Sequence, residues 1–224
     1  MQTIKLSEQT LRILKNFSTI NPGLVVKPGA KLVTMSPASS VFAEAEINET
    51  LTTPFALTDI SKFLSALSLF PEPELNFKET SVEIIKHKQK IVFVYADPRH
   101  ILSPTKEFKA PKFDLTFSVK EETLMKLFKT MSVLALPAVI IEGDGKTLSI
   151  STKDVKSSTS HSYTEELGPT DQTFKHVFLA ENMKMVSGHY DISIAPGVGR
   201  FVAKDPYTGK PITYYIAIET PLKK

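Results

Sequence analysis

No cysteine occurs in the 224 residues, which excludes disulfides, a thiol nucleophile and Cys-ligated zinc. No uncharged apolar run approaches the roughly 20 residues that a membrane-spanning helix needs. The first stretch, MQTIKLSEQTLRILKNF, carries charges inside its apolar part and does not read as a signal peptide. The simplest expectation is a reduced intracellular protein with no membrane partner. Neither sign of charge dominates: 27 Lys and Arg against 24 Asp and Glu leave a formal +3. That surplus is too small to argue for nucleic acid, so any such argument must rest on where the charges sit.

Catalytic signatures are equally scarce. None of His87, His100, His161, His176 and His189 stands three or four positions from another histidine, and His-Glu-x-x-His is missing, so no metal site is expected. There is no P-loop and no Gly-x-Ser-x-Gly. Gly197-Val198-Gly199 opens like a dinucleotide fingerprint, but Val202 fills the sixth position and a strand follows, so a hairpin turn is expected and no cofactor. Asp144 between two glycines lacks further cation ligands and reads as a turn. Asn48-Glu49-Thr50 matches a glycosylation sequon, which carries no weight without secretion. An enzyme with a spatially assembled site would escape such a search, but no motif supports one and no catalytic residue is named.

What remains is an α+β pattern. Hydrophobic residues make up 42% and charged residues 23%, ordinary for a packed soluble fold. Short alternating strands dominate, among them VFAEAEI at 41–47. A hairpin is expected from 23–26 and 31–35 about Lys27-Pro28-Gly29, and Pro206-Tyr207-Thr208-Gly209 marks a turn before the last strand. Four helices interrupt the strands. Residues 7–20 place Leu6, Thr10, Ile13, Leu14, Phe17 and Ile20 on one face; residues 120–134 do so with Leu124, Leu127, Phe128, Met131 and Leu134. Residues 58–69 start at a Thr N-cap and stop before Pro71, and a shorter helix is expected at 180–186.

The helices repeat. A shift of 114 positions lays Glu8 on Glu122, Arg12 on Lys126, Ile13 on Leu127, Lys15 on Lys129 and Phe17 on Met131. A shift of 122 lays Asp59 on Glu181 and Lys62 on Lys184. Both helix pairs keep their order and flanking strands, the mark of an internal duplication. The expected division is an N-terminal domain at 1–110, including a proline-bearing connector at about 97–111, and a C-terminal domain at 111–224.

On the first helix Arg12 and Lys15, with Lys5 before it, fall opposite the apolar face; on the third, Lys126 and Lys129 do. One such helix reads as a solvated face. The recurrence at one phase in both halves points instead to a phosphate backbone, which asks only for positive groups at suitable reach. Glu8 and Glu122 on the same faces would keep the attraction weak, as suits movement along DNA. The basic run Lys86-His87-Lys88-Gln89-Lys90 reads as a solvated hairpin tip, with an outer DNA or partner contact as the other reading. No strand interleaves aromatics with basics, which argues against a base-stacking single-strand binder.

LRILKNFSTINPG at 11–23, DISKFLSALSL at 59–69, YADPRHILSPTK at 95–106, ENMKMVSGHYDISI at 181–194 and TYYIAIE at 213–219 together resemble the sliding clamps of T-even-type bacteriophages, the DNA polymerase processivity factors. The likeness covers nearly the whole chain and fades at 36–40 and 153–172. The resemblance implies a duplicated DNA-clamp fold, with two helices on antiparallel sheet in each domain. It implies a homotrimeric ring, strands outside and helices lining a hole for duplex DNA. Lys5, Arg12, Lys15, Lys62, Lys120, Lys126, Lys129 and Lys184 would face that DNA. It further implies a protein that is not an enzyme, is opened by an ATP-driven clamp loader, and tethers the replicative DNA polymerase. Late transcription factors would be further partners, and the cytoplasm of the infected bacterial host the place of action. Partner peptides would dock in an apolar pocket near the connector, where Pro98, Ile101 and Leu102 match the family. The competing reading is a β-rich phage structural or assembly protein, in which duplication serves assembly alone.

Overall fold

A computed structural model describes residues 2–105 and 108–219, so Lys106, which ends the YADPRHILSPTK motif, lies outside the described residues. Among the described residues the chain forms three α-helices and sixteen strands in two units, one comprising the described residues up to Ala110 with Lys204–Thr213, the other 111–203 with the described residues from Tyr214.

The first unit opens with β1 (Gln2–Ile4) and α1 (Glu8–Ile20). Ser7 caps α1, its Oγ accepting from the Thr10 backbone N–H at 3.3 Å. Gln9, Thr10, Ile13, Leu14, Phe17 and Ile20 form the buried face. Burying each of the larger apolar side chains stabilises the fold by roughly 1.5–3 kcal/mol. Asn21 ends the helix in an extended conformation, and its amide then ties down two other segments, donating to the carbonyls of Met35 at 2.9 Å and Leu102 at 3.0 Å. Next come β2 (Leu24–Val26), β3 (Gly29–Met35), β4 (Val41–Leu51) and β5 (Phe55–Leu57). The expected β2–β3 hairpin does not form as a hydrogen-bonded pair: β2 pairs with β5 (Leu24 opposite Leu57) and β3 with β4 (Val33 opposite Glu44). α2 (Ile60–Ser68) starts one residue later than expected from a Thr cap, because Asp59 supplies it, accepting from the Lys62 N–H at 2.9 Å. β6 (Glu74–Phe77), β7 (Ser81–Lys86) and β8 (Gln89–Val94) complete an antiparallel sheet in the order β1-β6-β7-β8.

The second unit repeats this plan. β9 (Leu115–Val119), which the strand pattern did not suggest, stands where β1 stands. α3 (Glu121–Val133) follows, then β10 (Ala138–Asp144), β11 (Thr147–Lys153), β12 (Ser162–Pro169) and β13 (Thr173–Leu179) in the order β12-β11-β10-β13. This is the arrangement of β4-β3 and β2-β5, with the middle seam closed. β14 (Tyr190–Ala195), β15 (Val198–Lys204) and β16 (Pro211–Ala217) join β9 in the order β9-β14-β15-β16, the counterpart of β1-β6-β7-β8. Phe178 of β13 meets Phe201 of β15 edge to face at 5.4 Å in the core. Gly199 makes this possible, since a Cβ there would stand 2.8 Å from the Phe178 ring. Gly197, at φ +81°, turns β14 into β15, as the hairpin reading expects.

One element is corrected. The helix expected at 180–186 is only a 3₁₀ turn, Ala180–Asn182. Tertiary bonds capture the backbone that would have extended it. Tyr190 Oη donates to the Val186 carbonyl at 2.7 Å, and the Val186 N–H donates to Tyr214 Oη at 3.3 Å. The second unit therefore carries one α-helix and a helical turn where the first carries two α-helices.

Candidate nucleic-acid interface

α1 and α3 each turn a basic edge to solvent. Gln9, Thr10 and Ile13 are buried on α1, and Thr123, Leu124 and Leu127 on α3, so the buried faces coincide at the shift of 114 positions. Lys15 and Lys129 are therefore at matched phases, Lys126 takes the phase of Arg12, and all three lysines are exposed. Lys5, between β1 and α1, Lys62 on α2 and Lys120 at the α3 N-cap are exposed as well. Lys184 is exposed but lies beyond the 3₁₀ turn, so it is not presented by a helix as expected. Lys5, Lys15, Lys62, Lys120 and Lys129 form no ion pair with any described residue.

Arg12 differs. Its Nη2 donates to Oδ2 of Asp205, whose side chain is fully buried, and the Arg12 side chain is only 37% exposed. Asp205 sits in the turn between β15 and β16. Its Oδ1 accepts from the N–H groups of Tyr207 at 3.0 Å and Thr208 at 2.9 Å. Lys210 fixes the other side of the turn by donating from Nζ to the Ile47 carbonyl. The guanidinium also lies 5.5 Å from the Tyr207 ring centroid. Arg12 thus holds a turn against α1, and its charge is largely spoken for. Sequence reading found the turn but not this partner, because a 193-residue separation carries no local signal.

Each basic helix is also anchored to a strand carboxylate. On α1, Glu49 of β4 accepts from the Thr10 hydroxyl and the Ser7 N–H. On α3, Glu165 of β12 accepts from the Thr123 hydroxyl at 2.7 Å and from the Tyr163 hydroxyl. The Tyr163 bond chiefly, then Thr123 and the nearby Lys126 charge, hold the Glu165 carboxyl below its ordinary range. Desolvation first, then Glu165, pushes the Tyr163 phenol up to about 12.

Near the connector, Pro98 opens a short 3₁₀ turn and lines a cleft with Phe55, Val94 and Tyr95. Ile101 packs down onto Gly23, where a Cβ would stand 3.0 Å from its Cγ2. Leu102 is 47% exposed. Among the described residues, Pro98 thus borders the cleft, Ile101 packs on Gly23 and Leu102 is partly open to solvent. Asp144 forms a turn, its Oδ1 accepting from the N–H groups of Lys146 and Thr147 at 2.8 and 2.7 Å.

Comparison with known proteins agrees with this arrangement. The family described as DNA polymerase processivity factor matches residues 5–98, and that described as the gp45 sliding clamp, C terminal, matches residues 116–220. A sliding clamp of Vibrio phage KVP40 is 31% identical, over 96% of this chain and 99% of that protein. The chain belongs to the phage sliding-clamp family. A sliding clamp of Enterobacteria phage T4 is 29% identical over 96% of this chain and 97% of that protein. Among solved structures, A. fulgidus PCNA with the C-terminal region of FEN-1 bound covers all of both chains at TM-score 0.74 and 13% identity. PCNA from Entamoeba histolytica covers 97% of this chain and 98% of that one at TM-score 0.71 and 12% identity. These two likenesses speak for the fold, which is that of a DNA clamp with two clamp domains.

Proposed function

We propose that this chain closes into a homotrimeric ring around duplex DNA and holds the replicative polymerase on its template, without chemistry of its own. The observation that carries the reading is the exposed lysine repeated at one phase of α1 and α3, Lys15 and Lys129, with Lys126 exposed beside the second. The family supports the rest. Lysine ammonium groups on a helix face meet phosphates without reading bases, and Glu8 and Glu122 nearby keep each contact shallow. A clamp must stay on DNA yet slide, and closure of the ring supplies the first without binding energy that would oppose the second. Lys15, Lys126 and Lys129 are the principal contacts, with Lys5, Lys62 and Lys120 beside them; Arg12 acts through the turn it holds.

Ring closure has a physical basis in the two units. Among the strands that end their sheets are β8 in one unit and β12 in the other, so each unit offers an edge strand to a second copy. β8 exposes Val92 (53%) and Val94 (69%), and α3 exposes Met125 (57%) and Val133 (74%). A head-to-tail contact between unlike edges satisfies both and closes when the rotation allows. The number three rests on the family, as do the ATP-driven loader, late transcription factors and action in the host cytoplasm. Loaded protein should remain on nicked circular duplex and leave linear duplex unless the ends are blocked; equal retention on both defeats the reading. Light scattering separates it from a phage assembly protein, which forms large or open aggregates where a clamp forms one discrete species.

A further inference from the structure

The chain has three arginines, Arg12, Arg99 and Arg200. Arg12 is paired with Asp205, and Arg99 with Asp97 at 2.6 Å. Arg200 alone has no carboxylate partner among the described residues. It stands on β15, where Gly199, Phe201 and Ala203 are buried and Arg200 and Val202 alternate to the other face. Its guanidinium lies 4.4 Å from the Phe113 ring centroid. Nη2 donates to Ser193 Oγ at 3.1 Å, and Ser193, 1% exposed, is fixed in turn by the Thr116 hydroxyl at 3.2 Å. Nε is buried and meets no acceptor.

A guanidinium is charged at every accessible pH. Held partly out of water against one hydroxyl and one ring, it has its Nε–H buried without an acceptor and its charge matched by no carboxylate among the described residues. The ring face offsets part of that penalty and sets the plane of the fork; Ser193 and Thr116 set its rotamer. We propose that Arg200 receives a carboxylate carried by a protein partner of the clamp, an inference that rests on the clamp reading, in which partners dock peptides on this chain. The planar fork matches a planar carboxylate, and one guanidinium balances one carboxylate charge, whereas a phosphate monoester leaves charge over. Phe113 forms the apolar wall beside the anion, so a carboxylate next to an apolar side chain fits best.

The test is a titration of the full chain followed at the ¹⁵Nε–H resonance of Arg200, which burial protects from exchange. The probes are acetyl-Gly-Phe with a free carboxylate, its C-terminal amide, acetyl-Gly-Glu-Gly amide and inorganic phosphate. The free acid is expected to shift the resonance saturably, and the amide to bind at least about tenfold more weakly. In the variants, which lack that resonance, binding is followed at the backbone amides of Ser193 and Thr116, also read in wild type: R200Q abolishes it, and R200K, which keeps charge but loses the fork, weakens it about tenfold. Tighter binding of the glutamate probe assigns a side-chain source, and tighter binding of the free acid assigns a chain terminus. Indistinguishable acid and amide, tighter binding of phosphate, or unchanged binding in R200Q each overturn the proposal. Failure of the wild-type chain to stay on nicked circles would instead defeat the clamp reading, leaving the carboxylate titration to stand alone.

Discussion

Arg12 and Lys15 sit one helical turn apart on α1, both basic, yet removing them should have opposite consequences. Arg12→Ala leaves the Asp205 carboxylate buried without its cation. Because Arg12 is partly exposed and two backbone N–H groups still reach Asp205, the variant should be destabilised by about 2 kcal/mol, below the range for a fully buried pair. Asp205→Asn keeps an oxygen for the turn and should be destabilised by about 1 kcal/mol. A double-mutant cycle by denaturant unfolding should therefore return a coupling energy of about 1 kcal/mol or more; additivity of the two changes would show that the ion pair contributes nothing. Lys15→Ala, exposed and unpaired, should leave stability within about 0.5 kcal/mol. Its effect should appear on DNA. Neutralising Lys15, Lys126 and Lys129 together should weaken equilibrium binding of the chain to duplex DNA and reduce its salt dependence, by about 0.9 in the log–log slope for each phosphate that is no longer neutralised. An unchanged slope would remove these lysines from the DNA role.

At the scale of elements, α1 and α3 were legible because their burial repeats every three or four residues, and periodicity reports the angle at which side chains leave the axis. The 3₁₀ turn at Ala180–Asn182 was not, because AENMKMV has the composition of a helix and loses it to the hydroxyls of Tyr190 and Tyr214 at Val186. The β2–β5 pairing was hidden for a related reason: Lys27-Pro28-Gly29 is good turn chemistry, but turn chemistry fixes a reversal and not the strand that receives it. The Thr123–Glu165 anchor makes one element pH-sensitive. A carboxyl whose folded pKa lies below its unfolded value adds stability that is present above the ordinary carboxylate range and is lost as pH falls through the folded value. Wild type should thus exceed Glu165→Gln in melting temperature at pH 7, and the gap should shrink below about pH 4; a gap constant from pH 7 to pH 3 would mean the carboxylate charge is irrelevant. Gly199→Ala tests the sheet packing. A Cβ at 2.8 Å from Phe178 must push a core ring aside, destabilising the fold by about 1–3 kcal/mol in thermal or denaturant unfolding.

For the whole molecule, the duplicated topology explains why so little net charge can suffice. Each unit contributes a basic helix face and an edge strand, so copying the unit multiplies both, and the proposed ring would need neither a strong site nor a long basic tract. The charged faces were legible as a repeated phase, whereas the edges were not, since alternation along a strand marks its faces and says nothing of its neighbours. The edges are where the proposed ring would be most vulnerable. Val92 and Val94 are exposed in the single chain, so replacing both with lysine should change folding stability by no more than about 0.5 kcal/mol. Within a closed ring the same two ammonium groups would lie along the joined edge, where charge is the usual device that stops strands from pairing. Native mass should therefore fall to that of one chain at low micromolar concentration while circular dichroism and melting temperature stay close to wild type. Retention on nicked circular duplex should fall with it, because in the proposed ring topology and not affinity keeps the protein there. Intact native mass and intact retention in that variant would place the subunit contact somewhere other than β8.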